Sequence, residues 1–257
     1  VNKDPLTAAA DSLRAEGHEV VTCRVDVSDP ASVALLADRA AGLGPVTHLA
    51  HTAGLSMAQA SPAAILRVDL LGVALVLDAF EPVIAPGGAG VVIASTAGHF
   101  APRLPDDQER ALAVTPASEL LDLPFLAPEL VTDPAAAYCL AKQANLIRVR
   151  AAARAWGRRR ARINSVSPGV ISTPMGRHEL AGPWGDGLRA VIDASPAGRI
   201  GTPDEVADAV SFLLGPQAAF ITGTDLLVDG GSIAAFHHDA WTSQPAPQPE
   251  TRQQAMA

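Results

Sequence analysis

Apolar, strand-like segments alternate along the chain with longer segments of helical periodicity. Most of the strand-like segments end in small or polar residues, and we predict five strands, at 19–27, 46–51, 90–94, 161–166 and 224–228. Such alternation is typical of repeated βαβ units, whose strands are parallel and whose helices cover both faces of the sheet. The sequence therefore predicts a doubly wound α/β fold.

A length of 257 residues fits one large domain, which we predict over 1–236. Residues 237–257 are rich in Gln, Pro, Ser and Ala, and we expect them to form a disordered tail. Within the domain, the 99–134 segment separates a predicted strand from a predicted helix, and so long a connection is more often functional than idle. The 174–197 segment carries four glycines.

Composition excludes several classes of partner. The net charge of −8 argues against nucleic acid or an anionic membrane, and the most apolar stretch, 70–77, is too short to span a bilayer. Two cysteines form no disulfide framework, which favours reduced thiols and a cytoplasmic protein. His237 and His238 have no further ligands at metal spacing, so we predict no metal site. A small-molecule substrate remains as the expected partner.

Tyr138 and Lys142 are the residues most indicative of chemistry. They are four positions apart in the predicted helix 135–156, which puts both side chains on one helix face. A phenol with a pKa near 10 is a poor base at neutral pH, but a neighbouring ammonium group stabilises the phenolate. Tyr138 is the single tyrosine of the chain and Lys142 one of two lysines. The pair predicts a tyrosine acid/base assisted by a cation.

Further polar residues follow the predicted strands. Ser95 comes after the strand 90–94, and Pro168-Gly169 with Thr173 comes after 161–166. Because the carboxyl ends of parallel strands meet at one edge of a sheet, where such folds bind ligands, we expect these residues to lie near Tyr138. Each motif alone is more often a turn or a helix cap. Their coincidence at successive strand ends indicates a site.

With these motifs, residues 1–235 resemble the short-chain dehydrogenase/reductase family, which implies a Rossmann-type sheet and an NAD(P)-dependent oxidoreductase. By this resemblance Tyr138 is the catalytic acid/base, Lys142 lowers its pKa and binds the nicotinamide ribose, and Ser95 orients the substrate carbonyl. The remaining residues implied to bind the cofactor are Asp26 and Val27 at the adenine, Ala53 and Gly54 at the adenosine ribose, and Pro168, Gly169, Ile171 and Thr173 at the carboxamide.

The sequence departs from the family pattern at three places. Asp69 stands where the family usually has an asparagine that supports a proton relay, and we include it among the candidate catalytic residues. His51 and Thr52 replace two asparagines, and we expect a structural role for His51 because the chemistry needs no second acid/base. The 99–134 segment is an insertion relative to the family, and its apolar residues predict packing near the active site or at a subunit contact.

The glycine-rich turn that binds pyrophosphate in this family is not found between residues 1 and 257. Residues 1–6 resemble those that follow the family's second strand, so we expect roughly 35–40 preceding residues, with the first βαβ strands, in the full protein. The resemblance favours NAD over NADP, with the deciding residue expected before Val1.

The resemblance implies interconversion of a secondary alcohol and a ketone, with a fairly hydrophobic substrate that could be steroid-like or a natural-product intermediate. It also implies that 174–197 is a mobile loop over the substrate. A homodimer or homotetramer is implied as well, with the two long predicted helices, 62–84 and 135–156, as candidate interfaces. Two alternatives stay open, because fold alone does not decide function. One is a non-redox enzyme, a lyase or an epimerase, on the same scaffold, and the other is a non-catalytic binding protein.

Overall fold

The structure is a computed structural model that describes residues 3–242, with side chains from residue 5 to residue 239. Four parallel strands form one sheet in the order β1-β2-β3-β4, with helices on both faces. The predicted α/β fold is thereby confirmed. The strands are β1 (Val46–His51), β2 (Ile84–Ile93), β3 (Arg162–Pro168) and β4 (Asp225–Val228).

Helices separate the strands. Several of them begin with an Asp, Ser or Thr side chain that accepts a hydrogen bond from a backbone amide of the first turn, followed directly by a proline. This pair favours a helix start, because the cap satisfies a free amide and proline needs none. The α-helices are α1 (Lys3–Ala15), α2 (Pro30–Leu43), α3 (Pro62–Ile65), α4 (Gly72–Phe80), α5 (Ala97–Phe100), α6 (Asp106–Val114), α7 (Pro134–Arg158), α8 (Pro174–Ala181), α9 (Gly185–Ala194), α10 (Pro203–Leu214) and α11 (Ser232–Thr242).

The predicted helix 62–84 ends at Phe80 and is not regular. Its middle, Leu66–Leu71, is a π-helical turn between α3 and α4, and it carries Asp69. Single π-helical turns inside α-helices are rare and occur frequently at functional sites. Most side chains from Ile65 to Phe80 are buried within this chain. The helix is therefore an internal element of the fold.

The long helix α7 lies between two apolar clusters. Near its start, Ala137, Ala141 and Ala144 pack with Leu112 and Leu120 of the 99–134 segment. Near its end, apolar residues including Trp156 pack with α2, α4 and the sheet. The buried residues of this second cluster include Val33, Ala37, Val73, Leu77, Phe80, Ile84, Val92, Val149, Trp156 and Ile163. Burial of both faces fixes α7 firmly against the sheet, and with it Tyr138 and Lys142.

The prediction of a strand at 19–27 is wrong for the described structure. This segment is irregular and forms no ladder with any strand among residues 3–242. A strand requires a neighbour for its backbone groups, and none of the four strands pairs with this segment. The segment is held by side chains instead: Val25 and Val27 pack on the second cluster, and Val27 lies against Gly72.

Two other predicted segments contain more helix than expected. The 174–197 segment folds into α8 and α9 rather than an irregular loop. Residues 237–242 of the predicted tail are helical, because α11 continues to Thr242. Its start is fixed by Asp229, which accepts hydrogen bonds from the Ser232 hydroxyl and the Ile233 amide, and Phe236 meets Phe100 edge to face at 5.1 Å. Residues 243–257 lie outside the described residues.

Residues 3–242 contain neither a membrane-spanning helix nor a group of side chains suited to a metal ion. None of the helices there is both long enough and apolar enough to cross a membrane. No group of three or more His, Cys, Asp or Glu side chains is placed to hold a metal ion in that part of the chain.

Candidate active site

The carboxyl ends of β1, β2 and β3 lie side by side at one edge of the sheet. The turn after β2 is attached to β3 by backbone hydrogen bonds from Ala94 to Val166 (2.8 Å) and from Thr96 to Pro168 (3.0 Å). Ser95 lies between these two bonds, so its position is fixed on both sides. The structure thus brings Ser95 and Pro168 to the same sheet edge, as the order of the motifs predicted.

Helix α7 places Tyr138 and Lys142 at this edge. The ammonium nitrogen Nζ of Lys142 lies 5.4 Å from the centroid of the Tyr138 ring, within the range of a cation–π contact. Helix α5, directly after Ser95, packs closely on α7: a Cβ at Gly98 would come within 2.8 Å of the backbone nitrogen of Gln143. Because Gly98 has no side chain, the turn that carries Ser95 can approach α7, the helix that carries Tyr138 and Lys142.

Lys142 is almost fully buried and has two neighbours of opposite or partial negative charge. Its Nζ lies 3.4 Å from Asp69 Oδ2 and donates a hydrogen bond of 3.4 Å to the carbonyl of Ile93. An ammonium group has three donors, so these contacts leave capacity for a further acceptor such as a ribose hydroxyl. The surroundings of Lys142 therefore fit the role that the resemblance implies.

Asp69 lies in the π-helical turn and has no exposed surface. Its Oδ1 accepts a hydrogen bond of 2.8 Å from the amide of Leu55, and its Oδ2 has no hydrogen-bond partner among the described residues. Burial raises the pKa of the Asp69 carboxyl, while Lys142 and the Leu55 amide act in the opposite direction. Asp69 thus meets Lys142 as a buried, incompletely satisfied carboxyl group.

The phenol of Tyr138 is subject to opposing influences. Burial raises its pKa above the usual value, and the negative charges of Asp69 and Glu179 add to this rise. Lys142 and a hydrogen bond with Ser95 lower it, but they do not cancel the effect of burial. In the protein alone, the phenol is therefore held in its protonated form at neutral pH.

His51 closes β1 and is buried beside this group. Burial, together with the positive charge of Lys142, lowers the pKa of His51 to about 4. The imidazole is therefore neutral at physiological pH, and its Nε2 has no hydrogen-bond partner among the described residues. His51 is thus a neutral, buried side chain, consistent with the structural role expected for it.

Ser56 and Glu179 are two polar residues of this region that the sequence did not indicate. The Ser56 hydroxyl donates a hydrogen bond of 2.5 Å to Glu179 Oε1, across 123 positions of sequence. Ser56 is fully buried, and Glu179 comes from α8 of the 174–197 segment. Neither residue belongs to a recognisable motif, so only the folded chain could reveal the pair.

Four of the predicted cofactor residues are occupied with contacts inside the chain. Asp26 accepts two hydrogen bonds from Ser28, through its amide (2.9 Å) and its hydroxyl (2.7 Å), and these bonds lower the Asp26 pKa. Thr173 caps α8 by accepting from the Gly176 amide at 3.0 Å. Ile171 forms a β-bridge with Gly201, and Val27 packs on Gly72.

Among the other predicted cofactor residues, Gly54 lies next to Lys142. A Cβ at Gly54 would be 3.5 Å from both Lys142 Nζ and Asp69 Oδ2, so the backbone passes directly beside the ammonium group. Gly169 lies tightly against Asp229, where a Cβ would come within 2.9 Å of the Asp229 Cα. Ala53 precedes Gly54 in the same turn. Gly54 thus lies beside the Lys142–Asp69 pair, whereas Gly169 lies against Asp229 at the end of β4.

The 99–134 segment is anchored to α7 by hydrogen bonds. Arg148 of α7 is buried and donates hydrogen bonds to the carbonyls of Leu112 (3.2 Å) and Thr115 (2.7 Å) at the end of α6. Tyr138 and Leu140 are among the partly buried residues that pack on the same apolar cluster. The segment therefore packs beside Tyr138.

Comparisons with known proteins agree with this geometry. Residues 107–232 match the sequence family described as enoyl-(acyl carrier protein) reductase. The chain is 38% identical over 235 residues to the short-chain dehydrogenase/reductase bsc3 of Alternaria brassicicola, covering 91% of this chain and 85% of the relative. It is 31% identical to the D-threitol dehydrogenase of Mycolicibacterium smegmatis, covering 87% and 82%.

A solved structure is similar along most of the chain. It is the 3-alpha-hydroxysteroid dehydrogenase from Pseudomonas sp. B-0831, described as a complex with NADH. The identity is 29% and the TM-score 0.74, covering 90% of this chain and 94% of the other. At that similarity the two chains share the arrangement of their strands and helices.

Proposed function

The chain belongs to the short-chain dehydrogenase/reductase family, and from this premise we propose that Tyr138 and Lys142 are the centre of its chemistry. The protein is an NAD(P)-dependent oxidoreductase that acts on alcohols or their carbonyl counterparts. The observation that supports the proposal most directly is the group at the sheet edge, where Lys142 Nζ lies 5.4 Å from the Tyr138 ring and the Ser95 hydroxyl acts to lower the pKa of the phenol.

In this proposal each side chain has one task in the reductive direction. The bound nicotinamide cofactor supplies or accepts the hydride. Ser95 donates a hydrogen bond to the substrate oxygen and holds it near the phenol, and Tyr138 gives the oxygen a proton. Lys142 stabilises the phenolate that remains, because its ammonium charge lies at the ring. Asp69 holds Lys142 in place, and its negative charge acts to raise the pKa of the Tyr138 phenol.

We propose NAD as the cofactor, with NADP as the alternative. Lys142 would bind the nicotinamide ribose. The carboxamide would be bound by Pro168, Gly169, Ile171 and Thr173. The adenosine part would be bound by Ala53, Gly54, Asp26 and Val27. Support for NAD comes from the Pseudomonas steroid dehydrogenase structure, whose description names NADH. The Lys142 ammonium, with donors left over from Asp69 and Ile93, fits a ribose diol.

We propose a secondary alcohol or ketone with a fairly hydrophobic body as the substrate. The 99–134 segment supplies Leu104, Leu112 and Leu120 to the cluster on which Tyr138 packs. Met175 and Trp184 of the 174–197 segment are 38% and 39% exposed and offer apolar surface there. We also propose a cytoplasmic homodimer or homotetramer. Phe220 and Leu227 are exposed apolar side chains that an interface would cover.

The test combines binding and turnover on the purified protein. Titration with NADH and with NADPH, followed by nicotinamide fluorescence and by thermal unfolding, shows whether either dinucleotide binds. A panel of secondary alcohols with NAD then measures turnover as NADH absorbance. We expect Tyr138→Phe to retain binding and to lose at least ~100-fold in kcat, because the phenylalanine has no proton to exchange.

Two results would contradict the proposal. Absence of binding of either dinucleotide would favour the alternative of a non-catalytic binding protein. Dinucleotide binding without oxidation of any alcohol, combined with unchanged nicotinamide during conversion of a substrate, would favour a lyase or an epimerase on the same scaffold.

A further inference from the structure

A carboxylate from the 174–197 segment is held at the edge of the proposed active site. The Ser56 hydroxyl donates to Glu179 Oε1 at 2.5 Å, and the same Ser56 oxygen accepts a hydrogen bond of 3.1 Å from the Ala58 amide. Ser56 has no exposed surface. Because the hydroxyl is fixed on both sides and buried, the Glu179 side chain has a defined position although its helix lies at the surface.

The position of Ser56 connects this carboxylate with the catalytic group. Ser56 directly follows Leu55, whose amide donates to Asp69 Oδ1 at 2.8 Å, and Asp69 Oδ2 lies 3.4 Å from Lys142 Nζ. The negative charge of Glu179 also raises the pKa of the Tyr138 phenol, so the carboxylate is close enough to act on it. Through Ser56, Glu179 is therefore held next to the turn that also binds Asp69, close to the Tyr138–Lys142 pair.

One carboxylate oxygen of Glu179 accepts no hydrogen bond from the described residues. Oε1 accepts from Ser56, whereas Oε2 has no hydrogen bond or ion pair with any described residue. An ionised carboxylate can only accept hydrogen bonds, so an unused oxygen at this place selects for a donor on the ligand. Leu55 and Met57, which flank Ser56, belong to the apolar cluster beside Tyr138.

We propose that Glu179 is a substrate-recognition residue that accepts a hydrogen bond from a second hydroxyl group close to the reacting carbon. The inference rests on the proposed function and adds the class of substrate: an alcohol or ketone that carries a neighbouring hydroxyl. The carboxylate also disfavours substrates with a carboxylate at that position, because like charges repel. Ser56 is the positioning residue, since it holds Oε1 and leaves Oε2 for the ligand.

The experiment compares substrates that differ by one hydroxyl group. The two pairs are cyclohexane-1,2-diol with cyclohexanol for oxidation, and 3-hydroxybutan-2-one with butan-2-one for reduction. We expect the wild type to prefer the hydroxylated member of each pair in kcat/KM. In Glu179→Ala this preference should fall about 10- to 100-fold, the range for a hydrogen bond to a charged group. The change should lie mainly in KM for the hydroxylated member.

Control variants distinguish recognition from support of the fold. Glu179→Gln keeps the side-chain size and one acceptor oxygen, so it should retain part of the preference. Asp193→Asn removes an exposed carboxylate from the same segment and should leave the ratio within each pair unchanged. A purely structural role for Glu179 predicts that kcat/KM falls equally for both members of a pair. The ratio of the two kcat/KM values would then stay unchanged. Thermal unfolding of each variant verifies that it is folded.

The outcomes separate this inference from the proposed function. An unchanged preference in folded Glu179→Ala and Glu179→Gln would overturn the recognition role alone. The same holds if the wild type binds NADH and oxidises the panel alcohols but shows no preference for, or no turnover of, the hydroxylated compounds. Failure of the proposed function is recognised earlier, by absent dinucleotide binding or by full activity of Tyr138→Phe.

Discussion

Replacement of Asp69 by asparagine should move the pH dependence of the reaction toward lower pH. Asp69 is fully buried, and its carboxylate lies 3.4 Å from Lys142 Nζ. Its negative charge is among the influences that raise the pKa of the Tyr138 phenol. Asparagine keeps the side-chain shape and the oxygen that accepts from the Leu55 amide, while it removes the charge. The pKa of Tyr138 must therefore fall in the variant.

The distances give the size of the effect. Lys142 Nζ lies 3.4 Å from Asp69 Oδ2 and 5.4 Å from the centroid of the Tyr138 ring, so carboxylate and ring are at most about 9 Å apart. At an effective dielectric constant near 20, two unit charges at that distance interact by roughly 1.8 kcal/mol. Because one unit of pKa corresponds to about 1.4 kcal/mol, and solvent weakens the interaction at a partly exposed phenol, we expect a fall of about one unit.

The assay is kcat/KM for alcohol oxidation as a function of pH. Oxidation requires the phenolate as base, so kcat/KM rises with pH and levels off above the pKa of Tyr138. In Asp69→Asn this rise should occur about one pH unit lower. Asp78→Asn is the matched control, because Asp78 lies on the same long helix and pairs with Arg148 at 3.8 Å. A profile that stays in place, or moves to higher pH, would refute the assigned electrostatics.

Three further perturbations test the support of the site. Arg148→Met should reduce the free energy of unfolding by about 3–5 kcal/mol in urea titrations, because two buried carbonyls of the 99–134 segment lose their donor; Arg150→Met, at an exposed ion pair, should cost under ~1 kcal/mol. Gly98→Ala should lower kcat about 10- to 100-fold, since its methyl would come within 2.8 Å of the α7 backbone and displace the Ser95 turn, whereas Gly157→Ala, with open space around the added carbon, should keep wild-type kcat. Burial raises the pKa of the Cys139 thiol, so iodoacetamide at pH 7 should leave it largely unmodified by mass spectrometry.

The parts of the molecule that short-range patterns determine were predictable from the sequence. The parallel α/β fold followed from alternating apolar periodicities, and the predicted helix 135–156 lies within α7 (Pro134–Arg158). The relation of Tyr138 to Lys142 followed from their spacing of four on a helix. In each case the controlling interaction lies within about one helical turn, where a single sequence carries the information.

The features that the sequence did not predict depend on distant residues. A strand at 19–27 has suitable β-branched residues, but pairing requires a neighbouring strand that residues 3–242 do not provide. The π-helical turn at Asp69 places a carboxylate beside Lys142, 73 positions away, and no local pattern marks it. Glu179 reaches Ser56 across 123 positions. Such pairs become visible only when the sheet has brought the segments together.

One short segment after β1 determines the charge around the catalytic phenol. The amide of Leu55 holds the Asp69 carboxyl and the hydroxyl of Ser56 holds that of Glu179, so consecutive residues position two acidic groups. Both carboxylates oppose the effect of Lys142 on Tyr138, and together with burial they keep the phenol protonated. A protonated phenol is the form that gives a proton to a carbonyl oxygen, whereas oxidation must first remove that proton. If Tyr138 is the acid/base as proposed, we expect carbonyl reduction to be favoured at neutral pH and alcohol oxidation at alkaline pH, which initial rates in both directions across the pH range would check.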